Sequence, residues 1–132
     1  MRIHPYLAFP GTCEEAFTFY AELFSGVVTG VNRYGEGSPF PVPDGWGEKV
    51  IHAELEAGGI VIYGSDHVPE MFETPQGFSL SWNVTDFDAG KSAFDALAAN
   101  GGSVVSAPRL PRPMRPLLGI RRVLGSRRAG SG

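Results

Sequence analysis

Ser25-Gly26-Val27-Val28 and, further on, Gly101-Gly102-Ser103-Val104-Val105 are one piece of punctuation written twice, a helix stop followed at once by β-branched residues. The two stops lie about 76 residues apart, and the chain around each can be read outward from them. Before the first stop, Cys13, Phe17, Tyr20 and Phe24 recur at helical spacing, and Thr12 with Glu15 predicts a capping box. Ile3 to Phe9 alternates well enough for a strand. After the stop, Val27 to Tyr34 reads as a strand, and Gly35 to Glu48 is too rich in Gly and Pro for a regular element. Lys49 to Ala57 alternates again, Gly58-Gly59 signals a two-residue turn, and Ile60 to Ser65 supplies the hairpin partner. Residues 1–66 thus read β-α-β-β-β. The pattern restarts after a connector, Asp66 to Gly77, with a strand over Phe78 to Thr85, a helix from Asp88 to Asn100 and a strand over Ser103 to Ser106. Neither copy alone can bury both a sheet face and a helix stripe, so two modules, 1–66 and 77–106, are expected to pack as one α+β domain.

The second copy is incomplete. Ala107 to Gly132 holds four prolines, seven arginines and no aromatic residue, which argues against a strand there. Charge divides at the same place. Arg2, Arg33, Lys49 and Lys91 face all fourteen acids before Arg109, giving −10, whereas the segment from Arg109 onward carries +7. Scattered arginines without aromatic or lysine company form no nucleic-acid module. Enrichment in Arg, Pro, Gly and Ser is what a shifted reading frame in a GC-rich gene produces, so 107–132 is expected to be a frameshifted or replaced terminus. A lineage-specific tail is the rival. The coding DNA read in a shifted frame near codon 107 would distinguish them.

At 132 residues the chain is long enough for one ordinary domain. No apolar run approaches the roughly 20 residues of a membrane helix, and the amino end shows no apolar secretory segment. A soluble, cytoplasmic protein is expected, with no membrane or nucleic-acid partner. The single cysteine, Cys13, suits a reducing compartment and rules out a cysteine-based zinc cluster.

Several local words occur in order over residues 3 to 106. They are His4-Pro5-Tyr6-Leu7 in the first strand, Cys13-Glu14-Glu15-Ala16-Phe17 leading to Phe19-Tyr20, Arg33-Tyr34-Gly35, Trp46 and Lys49 before Ile51-His52-Ala53, Gly64-Ser65-Asp66, and Gly77-Phe78-Ser79-Leu80-Ser81 with Asn83-Val84. Together they resemble the PhnB-like branch of the vicinal oxygen chelate superfamily, the group of glyoxalase, bleomycin-resistance and ring-cleaving dioxygenase folds. The resemblance implies tandem βαβββ modules forming a cupped mixed sheet, here with the second module incomplete at its C-terminus, and a homodimer.

In metal-using relatives the ion lies in the cup, held from the first and last strand of each module. The matching positions here are His4, Tyr63 and Ser79, with the fourth in the missing strand. One good ligand of four makes no metal site, and neutral Tyr or Ser oxygens are poor donors to a divalent ion. His4 then reads as a polar residue lining a pocket, and by parity Tyr6, Tyr63, Ser79 and Ser81 share its side. His52, Glu54 and Glu56 alternate on one strand. They read either as an ion-binding or acid and base pair, or as the solvated face opposite Ile51, Ala53 and Leu55. With Trp46 from the Pro-rich loop, the expected ligand pocket is His4, Tyr6, Trp46, His52, Glu54, Tyr63, Ser79 and Ser81. The expected function is binding of a small organic molecule in the cup, with no cofactor. The alternative is a divalent-metal-dependent lyase, isomerase or dioxygenase of the glyoxalase type. No dinucleotide fingerprint, P-loop or nucleophile elbow is present, which tells against the methyltransferase activity sometimes attributed to relatives.

Overall fold

The computed structural model describes residues 1–78, 80–99, 103–104 and 117–121. The chain divides into two units, Met1–Glu73 and Thr74–Gly132, each with strands and a helix, so the class is α+β.

In the first unit the order is β1 (Tyr6–Phe9), α1 (Cys13–Leu23), β2 (Val27–Arg33), β3 (Val50–Ala57) and β4 (Ile60–Asp66), with a single 3-10 turn at Tyr34–Glu36. The strands form one mixed sheet in the order β1-β4-β3-β2. β1 runs parallel to β4, from Tyr6 opposite Tyr63 to Phe9 opposite Asp66. The β3–β4 hairpin closes through Gly58 (φ 59°) and Gly59 (φ 81°). Two positive φ values in succession are the mirror-image turn that suits the right-handed twist of paired strands. One face of the sheet carries α1, whose Cys13, Ala16, Phe17 and Tyr20 are buried. Phe17 meets Phe9 edge to face at 5.7 Å, and both are fully buried with Leu55 and Ala53.

Two register shifts interrupt the β2–β3 ladder, at Val28/Gly30 and Asn32/Arg33. An extra residue reverses the alternation of side chains beyond it. At the second shift Val50 is buried at 1% exposure, while Ile51, expected on the helix side, is only half-buried.

The start of α1 also differs from expectation. Thr12 stands at the cap position, but its side chain makes no capping hydrogen bond. The Cys13 amide donates instead to Asp66 Oδ1 at 2.9 Å, and the Val50 amide donates to Asp66 Oδ2 at 2.9 Å. A carboxylate at a helix N-terminus satisfies an orphan amide and complements the helix dipole. Asp66, expected to begin the connector, is therefore the 1%-exposed final residue of β4.

The second unit contains β5 (Ser81–Asn83), α2 (Phe87–Ala99), β6 (Ser103–Val104) and β7 (Leu117–Arg121), with β7 antiparallel to both β5 and β6. Asp86 Oδ1 accepts from the amides of Asp88 and Ala89 at 2.9 and 3.3 Å and caps α2. β7 corrects the expectation that no strand follows residue 107. Leu117-Leu118-Gly119-Ile120 is an apolar run lying just past Pro116, and a strand needs only about five residues, so the prolines and arginines around it do not forbid one. The rest of the 107–132 segment lies outside the described residues. Among the described residues no helix is long and apolar enough to cross a membrane.

Candidate functional site

The face of the first unit's sheet opposite α1 gathers five of the eight side chains expected in the pocket, His4, Tyr6, His52, Glu54 and Tyr63. Tyr63 on β4 lies directly opposite Tyr6 on β1 and Glu54 on β3, and alternation along β3 puts His52 on the same face as Glu54. His4, just before β1, completes the set. The ring of Tyr63 is 4.6 Å from His4, 5.0 Å from His52 and 6.1 Å from Tyr6, and Tyr6 is 5.9 Å from His52. Edge-to-face and tilted pairs at these distances are favourable for aromatic rings, so Tyr63 is the hub of a four-ring group.

Polar contacts order that group. His4 Nδ1 is 3.1 Å from the Val61 carbonyl, which fixes Nδ1 as the donor. The Tyr6 hydroxyl is 3.4 Å from His52 Nδ1, and His52 Nε2 is 3.4 Å from Glu54 Oε1. Tyr6 is 51% exposed. His4, His52, Glu54 and Tyr63 are half-buried. Together they offer apolar ring surface and hydrogen-bonding atoms that solvent can reach.

Trp46 meets Tyr34 edge to face at 6.0 Å rather than joining the four rings. The Tyr34 hydroxyl donates to the Asp66 carbonyl at 2.7 Å. Burial first, then the nearby Asp66 and Tyr6, push the Tyr34 phenol above its ordinary pKa. Tyr34 thus joins Trp46 to the end of β4. The sequence reading passed over Tyr34. It also passed over Ser65, two residues beyond Tyr63 on the same face and only 4% exposed, which the alternation that selected Tyr63 would have found. Ser81 is an exposed residue of β5 in the second unit. Ser79 lies outside the described residues.

Arg33 stands apart from this face. Its guanidinium donates to Glu14 Oε2 at 2.7 Å, to Glu14 Oε1 at 2.8 Å and to the Glu48 carbonyl at 2.9 Å. It thereby ties α1 to the end of the Pro-rich loop. The Arg33 hydrogen bond holds the Glu14 carboxyl below its ordinary pKa.

The donors of the described residues do not make a divalent-metal site. Among the described residues no three His, Cys, Asp or Glu side chains converge closely enough to hold one. Cys13 is buried against α1's own side of the sheet. Burial first, then Asp66 and Glu14, raise its thiol to about 12, the opposite of what a thiolate ligand requires.

Residues 1–111 match the family model described as 3-demethylubiquinone-9 3-methyltransferase. Protein YjdN of Escherichia coli (strain K12) is 32% identical over 110 residues, which span 76% of this chain and 75% of that protein. Among solved structures, protein PA1353 from Pseudomonas aeruginosa superposes with a TM-score of 0.72 at 35% identity, over 84% of this chain and 81% of that one. A putative 3-demethylubiquinone-9 3-methyltransferase, PhnB protein, from Bacillus cereus shares the fold, with a TM-score of 0.70 at 24% identity over 88% and 87% of the two chains. With residues 1–111 covered by the family model and a relative at 32% identity over three quarters of both lengths, the chain belongs to the 3-demethylubiquinone-9 3-methyltransferase family.

Proposed function

We propose that this PhnB-like protein binds a small, flat organic molecule on the face built by His4, Tyr6, His52, Glu54 and Tyr63, and that it does so without a metal ion. The supporting observation is the four-ring group around Tyr63, with ring separations of 4.6 to 6.1 Å, edged by Glu54. Small-molecule sites combine this sort of ring-lined surface with a few placed polar groups. The same proposal includes kinship with the vicinal oxygen chelate superfamily, two βαβββ modules around a cup, a homodimer, and a cytoplasmic location.

The methyl transfer in the family's description draws no support from the first unit. β1 and β2 are separated by β4 and β3 in the sheet, so β1-α1-β2 is not the parallel unit that carries a nucleotide-like methyl donor. The N-terminus of α1, the place where such a unit offers free amides, is occupied by the protein's own Asp66 carboxylate. A metal-dependent lyase, isomerase or dioxygenase would need donors beyond those of the described residues.

The test is a thermal-shift and calorimetric screen of small aromatic acids, phenols and ketones against the wild-type chain and Tyr63→Ala, with elemental analysis of protein purified without chelator. A ligand that prefers the native state raises its melting temperature. Stabilisation that Tyr63→Ala weakens about tenfold or more in affinity, roughly 1.4 kcal/mol, is expected. Stoichiometric retained metal, or ligands whose binding ignores Tyr63, would overturn the reading.

A further inference from the structure

We infer that Tyr6, His52 and Glu54 form a proton relay that selects a planar ligand bearing a weakly acidic hydroxyl and holds it as its anion. This deepens, and rests on, the binding reading above.

The order of the three groups sets the direction of transfer. An ionised carboxylate can only accept, so Glu54 fixes the proton of a neutral His52 on Nε2, at 3.4 Å. His52 Nδ1 is then an acceptor and faces the Tyr6 hydroxyl at 3.4 Å. With its own proton directed at Nδ1, the Tyr6 oxygen turns lone pairs outward, and the side chain is 51% exposed. A bound hydroxyl can donate to it. Hydrogen bonds of an acid-base network are often of this length until a ligand completes it.

In the step that follows, the ligand O–H bond breaks and its electron pair stays on the ligand oxygen. The proton bonds to the Tyr6 oxygen as the original Tyr6 proton passes to His52 Nδ1. The products are a ligand oxyanion and an imidazolium, the latter facing the Glu54 carboxylate. No oxidant, reductant or further reactant is needed. Tyr63, 6.1 Å from Tyr6 and 5.0 Å from His52, supplies the ring against which the planar part of the ligand rests. The arrangement parallels a hydroxyl-imidazole-carboxylate triad, in which the carboxylate fixes the tautomer and stabilises the imidazolium.

The test uses 4-nitrophenol, whose anion absorbs at longer wavelength than its neutral form, at a pH one unit below that at which the free probe half-ionises. The fraction of bound probe that is ionised does not depend on how tightly it binds, and binding itself is followed by calorimetry. The expected result is a phenolate band on binding to the wild-type chain, with the anion-to-phenol ratio of bound probe about tenfold lower in Glu54→Gln and in His52→Gln. A purely structural role for these residues would change affinity and leave the bound spectrum alone. Probe that binds with the neutral spectrum overturns the relay and leaves the binding proposal standing. So does failure of 4-nitrophenol to bind where other aromatic molecules do. A phenolate band that persists in both variants also overturns it. If no aromatic molecule binds, both proposals fall.

Discussion

The carboxylate of Asp66 accepts the Cys13 amide at 2.9 Å through one oxygen and the Val50 amide at 2.9 Å through the other, so the last residue of β4 joins the start of α1 to the start of β3. The Asp66 carbonyl also receives the Tyr34 hydroxyl. One residue thus holds the helix, the inner strands and the base of the Pro-rich loop in register behind the ring-bearing face.

Replacing Asp66 with Ala leaves two amides without their acceptor in a site that is 1% exposed. Hydrogen bonds to a charged group are worth more than neutral ones, and an orphaned buried donor carries its full desolvation cost. A loss of about 2–5 kcal/mol is expected, read as a fall in the denaturant midpoint. Asp66→Asn should lie between, since its amide keeps a carbonyl for one donor and turns an NH2 toward the other. A loss below about 1 kcal/mol for the alanine variant would mean that water replaces the carboxylate.

Gly64 shows why α1 can lie so close to the sheet. A Cβ added there would stand 2.5 Å from Phe17 Cζ and 3.1 Å from Cys13 Sγ, and Phe17 is fully buried. Gly64→Ala is expected to cost about 1–3 kcal/mol by overpacking. In a Phe17→Leu background the added cost should shrink, because the clashing ring edge is gone. Equal costs in both backgrounds would assign the effect to the strand backbone instead.

Helical spacing of Cys13, Phe17 and Tyr20, the alternation of β3 and the Gly58-Gly59 turn are local patterns, and they anticipated the first unit's elements to within a few residues. What could not be read locally depends on chain segments far apart in sequence. Asp66 is 53 positions from the amide it caps, so the nearer Thr12, whose side chain makes no capping bond, was the candidate that local spacing offered. The register shift near Asn32 is a property of two strands together, and it moved burial from Ile51 to Val50. Alternation alone left open whether His52 and Glu54 form a solvated face, and the β3–β4 register, with Glu54 opposite Tyr63, is what puts them on the face of Tyr63. In β7 the short apolar run was outweighed by the composition around it.

The helix stop admits a stabilising change. Ser25, a non-glycine residue, holds φ at 52°, and the Gly26 amide reaches back to the Ala21 carbonyl at 2.8 Å, the pattern of a left-handed helix terminus. Side chains with a Cβ are disfavoured there. Ser25→Gly should gain about 0.5–1 kcal/mol, part of the relief being offset by the entropy of glycine in the unfolded chain, seen as a raised melting temperature. Gly26 tolerates no such exchange. A Cβ on it would lie 2.5 Å from the Glu56 carbonyl oxygen, so Gly26→Ala should destabilise.

The Arg33–Glu14 pair gives a signed pH effect. Its hydrogen bond to Arg33 lowers the folded-state pKa of Glu14, so the unfolded chain takes up the proton first as pH falls. The pair's contribution is fully present above the ordinary glutamate value of about 4.3 and is lost as pH drops through the depressed folded value. With the Glu14 side chain 52% exposed, solvent screens the pair and the effect is small. Glu14→Gln should flatten the stability curve below about pH 4.3 and leave its slope above that unchanged. A parallel shift of the whole curve would show that Glu14 acts through packing rather than charge.

Cys13 should be inert while the fold is intact. Its side chain is 0% exposed, and burial, with Asp66 and Glu14 nearby, raises the thiol to about 12. The thiolate is the reactive form, so at neutral pH both access and ionisation oppose modification. Labelling by an aromatic disulfide reagent is expected to proceed at the rate set by opening of α1 from the sheet. Asp66→Ala, which removes the cap on the Cys13 amide, should accelerate that opening even as it removes a charge that disfavours the thiolate. The two effects separate by pH, because a change in opening alters the rate equally at every pH whereas a change in thiol ionisation alters its pH dependence. Rapid labelling of the wild-type chain under native conditions, on the timescale of a free thiol, would contradict the packing of α1 described above.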